Sequence, residues 1–287
     1  MIFKAIAHNA LAVTDMVKAL EFYCGKIGLK KAFALDAPQG KPWIVYLKIA
    51  KGAFLELFYN GVKDREKAYD FDAIGYSHWA VSVDDIAPLA ERLWRNGVFE
   101  SEAAKKTAIE KENIWIHDPG GNAVEFCVSK VTDPALAEAT DDGIVFTGLG
   151  HVAFVVRDME KSMEFYRDIL GFEFFNQIDR EFKACKMDGS GNPWMNFLRV
   201  NPVTTIELSY GVNEPFKTGP NSAGFKHMCL ECDDVFQTVE YLHGKGVQID
   251  SEAEQGVDGN CQAWIHDPDG NKIELMAIGE SSPQNKA

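Results

Sequence analysis

Apolar positions along the chain fall into short alternating runs separated by stretches of helical spacing, and a histidine opens the alternation four times. His8-Asn-Ala-Leu-Ala-Val, His78-Trp-Ala-Val-Ser-Val, His151-Val-Ala-Phe-Val-Val and His227-Met-Cys-Leu-Glu-Cys each read as a strand with unequal faces. His8, Ala10 and Ala12 share one face, as do His78, Ala80 and Ser82, His151, Ala153 and Val155, and His227, Cys229 and Glu231. These faces carry mostly small residues and suit a cavity. The opposite faces carry Leu11/Val13, Trp79/Val81/Val83, Val152/Phe154/Val156 and Met228/Leu230, bulky enough to pack under helices. An aspartate then precedes each helical pattern. Asp15 and Asp158 are placed as N-caps, with Gly28 and Gly171 just past the helix ends, and helices over 85–96 and 234–245 stop at Gly97 and Gly246. Closing strands contain Phe54-Leu-Glu-Leu-Phe58, Val124-Glu-Phe-Cys-Val128, Thr205-Ile-Glu-Leu-Ser209 and Ile273-Glu-Leu-Met276. The pattern predicts an α+β chain that repeats βαβββ four times.

The quarters group into halves. Trp115-Ile-His-Asp-Pro-Gly-Gly-Asn-Ala-Val-Glu-Phe126 recurs 149 residues later as Trp264-Ile-His-Asp-Pro-Asp-Gly-Asn-Lys-Ile-Glu-Leu275, identical at eight of twelve positions. Asp15-Met-Val-Lys-Ala-Leu-Glu-Phe-Tyr23 recurs as Asp158-Met-Glu-Lys-Ser-Met-Glu-Phe-Tyr166, and Pro42-Trp43 as Pro193-Trp194. The expected organisation is a first domain over 1–135, a polar linker over 136–146, a second domain over 147–280 and a flexible tail over 281–287.

Composition narrows the function classes. The chain has 287 residues, 46% hydrophobic, and a formal charge of −14, which argues against a nucleic-acid partner because that needs clustered Lys and Arg. No run approaches the roughly 20 apolar residues of a bilayer span, and no leader pattern opens the chain, so a cytoplasmic protein with no membrane partner is expected. Cys24, Cys127, Cys185, Cys229, Cys232 and Cys261 have no disulfide-framework spacing. Cys229 and Cys232 lie three apart in one strand and point to opposite faces, so they should not clamp one ion.

The chemistry concentrates in the His-led and closing strands. Glu56, Glu125, Glu207 and Glu274 each sit between apolar residues in a strand, a costly place for a carboxylate unless a cation or partner meets it. Each half thus offers two histidines and two glutamates, a donor set suited to a borderline divalent ion with positions left for water or substrate. Taken singly, a strand-opening His or a strand Glu reads as structural; repeated eight times in register, the set reads as metal-ligating.

The His-led βαβββ quarters, the helices ending Phe-Tyr…Gly, and the turns Asp118-Pro-Gly-Gly-Asn122 and Asp267-Pro-Asp-Gly-Asn271 resemble the vicinal oxygen chelate (glyoxalase/bleomycin resistance/extradiol dioxygenase) superfamily. The resemblance is strongest to its two-domain, glyoxalase I-like members. It covers nearly the whole chain. It implies a tandem duplicated vicinal oxygen chelate fold, with four βαβββ modules forming two curved mixed sheets. It places metal ligands at His8, Glu56, His78, Glu125, His151, Glu207, His227 and Glu274, holding a divalent ion from among Ni, Zn, Mn, Co and Fe. The reaction implied is an isomerase or lyase step, with proton transfer beside a metal-chelated carbonyl of a small molecule. Glu125 and Glu274 are its bases, and Glu56 and Glu207 could serve the opposite face. The ligands either assemble within a half or are exchanged, so that His8 and Glu56 meet His227 and Glu274. The chain is either a monomer with an internal pseudo-dimer or a homodimer.

Glyoxalase I carries an arginine four residues after its first ligand, which anchors glutathione; Ala12 and Val155 stand there instead. The expected substrate is therefore another hydroxy-carbonyl compound, such as a keto-sugar derivative. Trp43 and Trp194 either stack on it or fill the sheet. His117 and His266 read as turn residues, His243 as a surface residue, and the acidic run Asp64…Asp72 as a solvated loop. Two rivals remain: an Fe(II) extradiol ring-cleaving dioxygenase, which needs only two His and one Glu, and a non-catalytic small-molecule binder.

Overall fold

A computed structural model describes residues 2–36, 42–59, 61, 72–129, 134–181, 183–185, 193–211, 213 and 223–287. Most of the acidic run after Asp64 lies outside these residues. The first quarter runs β1 (Phe3–Ala12), α1 (Met16–Leu20), β2 (Lys30–Asp36), β3 (Pro42–Ala50) and β4 (Ala53–Phe58). The second runs β5 (Gly75–Val83), α2 (Ile86–Arg95), α3 (Glu102–Glu110), β6 (Asn113–His117) and β7 (Ala123–Val128). After a short β8 (Glu138–Ala139), the third holds β9 (Val145–Val156), α4 (Met159–Met163), β10 (Glu173–Ile178), β11 (Met195–Arg199) and β12 (Thr205–Tyr210). The fourth holds β13 (Gly224–Cys232), α5 (Val235–Gly244), β14 (Ile249–Gln255), β15 (Cys261–His266) and β16 (Lys272–Ala277).

Local sequence explains the helix limits. Asp15, Asp85, Asp158 and Asp234 each accept a bond from a first-turn backbone N–H, and Gly28, Gly97, Gly171 and Gly246 adopt positive φ at the far ends. The helices after Asp15 and Asp158 are π-helical in their second halves, Glu21–Ile27 and Glu164–Ile169, where they bury Phe22, Tyr23, Phe165 and Tyr166. The second quarter departs from βαβββ. Its first closing strand is replaced by α3, because Ser101 caps a Glu-Ala-Ala-Lys-Lys run of strong helix formers. The segment 281–287 is not a free tail either. A 3-10 turn at Pro283–Lys286 buries Ser282 and Gln284, and Asn260 donates to the Gln284 amide oxygen.

Two mixed eight-stranded sheets result, ordered β14-β15-β16-β13-β1-β4-β3-β2 and β10-β11-β12-β9-β5-β7-β6, with β8 alongside β9. The first sheet joins the first quarter to the fourth, and the second joins the second quarter to the third. Each sheet is thus shared between the sequence repeats, through the antiparallel seams β1–β13 and β5–β9. The bulky strand faces meet the helices in one contiguous core that contains Leu11, Trp79, Val152, Phe154, Met228 and Leu230. Tyr76 stacks on Phe225 at 3.9 Å and ties the two sheets together. The linker is strapped down by Arg92, which grips Asp142, and by Lys30 and Lys48 on Glu138.

Candidate metal centres

The seams settle which ligand candidates meet. Across β1–β13, His8 faces Cys229 and His227 faces Ala10; across β5–β9, His78 faces Ala153 and His151 faces Ala80. The parallel neighbours then set Glu56 beside Ala10, Glu274 beside Cys229, Glu125 beside Ala80 and Glu207 beside Ala153. A small residue two places after each His therefore lies between an imidazole and a carboxylate, and its missing bulk leaves room for both. Of the two assemblies open to the sequence, the exchanged one is observed. His8 and Glu56 gather with His227 and Glu274, and His78 and Glu125 gather with His151 and Glu207.

In the β1–β13 cluster all four side chains are buried and their donor atoms lie within 4.8 Å of one another. His8 Nε2 is 3.1 Å from Glu56 Oε2, 3.0 Å from Glu274 Oε2 and 3.3 Å from His227 Nε2. His227 Nε2 is 3.6 and 3.3 Å from the same carboxylates. The β5–β9 cluster is looser. His78, Glu125 and His151 converge, with His151 Nε2 3.0 Å from Glu125 Oε2 and from His78 Nε2, but Glu207 stands 3.7 Å from His151 and falls outside the tight set.

Two buried carboxylates facing two imidazoles require positive charge between them. Burial by itself raises a carboxyl pKa, but hydrogen bonds from His227 and His8 outweigh it, holding Glu56 well below its ordinary 4.5 and Glu274 at about 2. His151 and His78 likewise hold Glu125 well below the usual carboxylate range. Burial disfavours the imidazolium, yet the facing carboxylates raise His151 and His227 above 6.5. These donors, soft enough for imidazole-binding ions and carrying two negative charges, fit a divalent cation that replaces the shared protons. Linkage gives the sign of a test. Lowered carboxyls stabilise the metal-free fold above about pH 4.5, and raised imidazoles stabilise it below about pH 6.5, a contribution lost as pH climbs through their folded values. The melting temperature of chelator-treated protein should therefore fall from about pH 6.5 upward, while the stabilisation by added Ni or Zn should grow over the same range.

Several groups around the clusters escape a reading of the sequence. Tyr46 donates its hydroxyl to Glu56 Oε2 at 3.1 Å and sets its ring edge-on to His8. At the matching place beside Glu207 stands Phe197, with no hydroxyl to give. Asn113 instead donates to Glu125. Trp264 meets His227 edge-on at 4.9 Å, and Trp115 meets His78 at 4.6 Å. Both tryptophans belong to the twelve-residue repeat, and the hairpin turn pairs them with Glu274 and Glu125, a signal that was present in the sequence. Tyr46→Phe should weaken metal binding at the β1–β13 cluster by about 10-fold, measured by competition with a chromogenic chelator, and should cost the metal-free protein about 1–2 kcal/mol of stability.

The remaining candidates are placed as follows. Trp43 is half-buried against the Ile44, Tyr46 and Phe54 group, and Trp194 donates its indole N–H to the Tyr210 carbonyl under the Arg180 guanidinium. His243 is exposed and pairs with Glu252, and His266 pairs with Asp250. All six cysteines are free thiols; Cys229 faces His8 across the seam, and Cys232 donates to the Met276 carbonyl. Among the described residues no helix is long and apolar enough to cross a membrane.

Known proteins are similar to this chain in sequence and fold. The chain is similar to glyoxalase I of Saccharomyces cerevisiae, 23% identical with 95% of this chain and 92% of that protein covered. It is also similar to an iron-dependent extradiol dioxygenase of Rhodococcus jostii, 23% identical over 97% and 90%. Over 46% of its length it matches a 2-epi-5-epi-valiolone epimerase of an Actinomyces species at 26% identity, covering 80% of that enzyme. Among solved structures, glyoxalase I of Zea mays aligns with a TM-score of 0.63 at 20% identity, over 95% of this chain and 92% of that one. A putative dioxygenase of Bacillus subtilis aligns with a TM-score of 0.71 at 15% identity, over 99% and 89%. One sequence profile matches both repeats, over residues 5–126 and 148–275, the two stretches that build the His and Glu seams. The chain thus belongs to the Glyoxalase/Bleomycin resistance protein/Dioxygenase superfamily.

Proposed function

We propose that the protein is a divalent-metal-dependent isomerase or lyase that transfers a proton beside the chelated carbonyl of a small hydroxy-carbonyl compound, without glutathione. The observation that carries this reading is the buried four-donor cage of His8, Glu56, His227 and Glu274. A divalent ion held there would supply a Lewis acid for two neighbouring substrate oxygens and for the negative charge that develops on them. His8 and His227 present Nε2 to the cage, and Glu56, tied by the Tyr46 hydroxyl, stays in place as a ligand. Glu274 has no donor beyond the two imidazoles among the described residues. It is the carboxylate able to swing toward the substrate, take a proton from the carbon beside the carbonyl and return it to the neighbouring carbon. Buried Ala10, Tyr46 and Cys229 wall the cage. Ala12 and Val155, both buried, offer no cation for a glutathione carboxylate. The donors of both cages come from one chain, which supports a monomer with an internal pseudo-dimer.

Metal analysis of the purified protein, followed by 1H NMR of hydroxyacetone and 3-hydroxybutanone in D2O, tests the reading. Deuterium entering beside the carbonyl supports it, and protein that retains no divalent ion after loading overturns it. A second reading is favoured at the other seam, where His78, His151 and Glu125 make the two-His, one-carboxylate set of Fe(II) oxygenases. Oxygen uptake with catechol by the Fe(II)-loaded protein, abolished by His78→Ala, would establish it.

A further inference from the structure

The two cages are copies of one repeat, so a difference at their rims bears on what each receives. Lys272 begins β16, two residues before Glu274 and on the same strand face. Its Nζ sits 3.7 Å from the centroid of the Trp264 ring, and that ring in turn meets His227 edge-on. The ammonium thereby lies on the ring that flanks His227 of the β1–β13 cage. No carboxylate of the described residues pairs with Lys272; the nearby Asp250 is taken by His266, the cross-strand neighbour of Lys272. The lysine is exposed, so an incoming group can reach it. At the matching place beside Glu125 the chain has Ala123, buried opposite His117. His, Glu, Trp and turn His are otherwise the same in the two copies of this hairpin.

We propose that the β1–β13 cage receives an oxygen chelator that carries one more anionic oxygen group, a carboxylate or phosphate, bound by Lys272, and that the β5–β9 cage receives chelators without one. The proposal rests on the metal-chelate reading above. Charge balance supports it. Two glutamates and a divalent ion sum to zero in either cage, and of the matching positions 123 and 272 only Lys272 adds a cation beside its glutamate. In a chain of net charge −14, an anionic ligand needs such a local cation to offset the general repulsion. The flat indole holds the ammonium in place while leaving its N–H donors free for an oxyanion.

The test uses two probes with the same chelating head, acetohydroxamate and succinic monohydroxamate, the second carrying a distal carboxylate. Binding to Ni-loaded protein is measured by calorimetry in His78→Ala/His151→Ala, which keeps the first cage, and in His8→Ala/His227→Ala, which keeps the second. The first cage should bind the succinyl probe about 10-fold more tightly than the acetyl probe. Lys272→Gln should erase that preference with bound Ni and acetohydroxamate affinity unchanged, and Lys272→Glu should reverse it. The second cage should show no preference. A preference that survives Lys272→Gln, or one shared by both cages, overturns the proposal while leaving the metal-chelate reading intact. Protein that holds no Ni and binds neither probe overturns both.

Discussion

Glu274→Gln should slow proton exchange at the β1–β13 cage by about 10²–10⁴-fold while the protein still binds its ion, the loss expected when a general base is removed. Glu56→Gln, an equal change in charge and volume, should act first on metal occupancy. The difference follows from what holds each carboxylate. Glu56 Oε2 accepts from the Tyr46 hydroxyl as well as facing both imidazoles, so its position is fixed from three sides. Among the described residues, Glu274 pairs only with His8 and His227, the groups an ion would engage. Exchange is read by NMR in D2O in the His78→Ala/His151→Ala background, so that the other cage contributes nothing. Equal loss of exchange and metal in both variants would show that neither glutamate is distinguished as the base.

The second cage should invert this assignment. There Asn113 ties down Glu125, the counterpart of Glu274, while Glu207 faces Phe197 and stands apart from the tight set. In the His8→Ala/His227→Ala background, exchange should therefore depend more on Glu207 than on Glu125. The resemblance alone assigned the base to Glu125 in that half, because it carries roles by strand and takes no account of the hydroxyl on Tyr46 or the amide on Asn113.

What was legible in the chain follows the range over which each rule acts. Strand alternation is local, so the eight His and Glu positions, the small residues between them and the four Asp caps could be placed without a structure. Pairing of strands 70 to 220 residues apart is not local. Nothing in the His8 or His227 runs states that they face each other, so the sequence alone allows within-half and exchanged assemblies equally, and the seams select the exchanged one. The strand expected before β6 failed for a local reason: periodicity was carried over from the other quarters, while Ser101 and the Ala-Lys run after it favour a helix. The segment 281–287, expected as a flexible tail, docks because Ser282 and Gln284 meet buried partners such as Asn260 that lie far off in the sequence.

Asp267→Ala should destabilise the metal-free protein by about 3–5 kcal/mol, as much as truncating a buried core aromatic. The repeated Asp-Pro-x-Gly-Asn turn and the repeated Phe-Tyr helix end look like separate signatures, but they are two halves of one joint. Asp267 Oδ1 accepts from the backbone N–H groups of Asp269 and Asn271, closing the turn into β16. Its Oδ2 accepts from the Asn271 amide and, at 2.8 Å, from the Tyr166 hydroxyl of the π-helical segment. Tyr166 is fully buried, so alanine at 267 leaves its hydroxyl without an acceptor in a place water cannot reach. Tyr166→Phe removes the donor together with the need for it and should cost about 1–2 kcal/mol, since Asp267 keeps three of its four bonds. In the Tyr166→Phe background the Asp267→Ala cost should shrink, and the coupling is measurable by denaturant titration of the four proteins. Asn271 stands three residues before Glu274, so the joint also aims that carboxylate. Asp267→Ala should lower metal affinity at the β1–β13 cage and leave the β5–β9 cage, braced by the matching bond from Tyr23 to Asp118, at its original affinity.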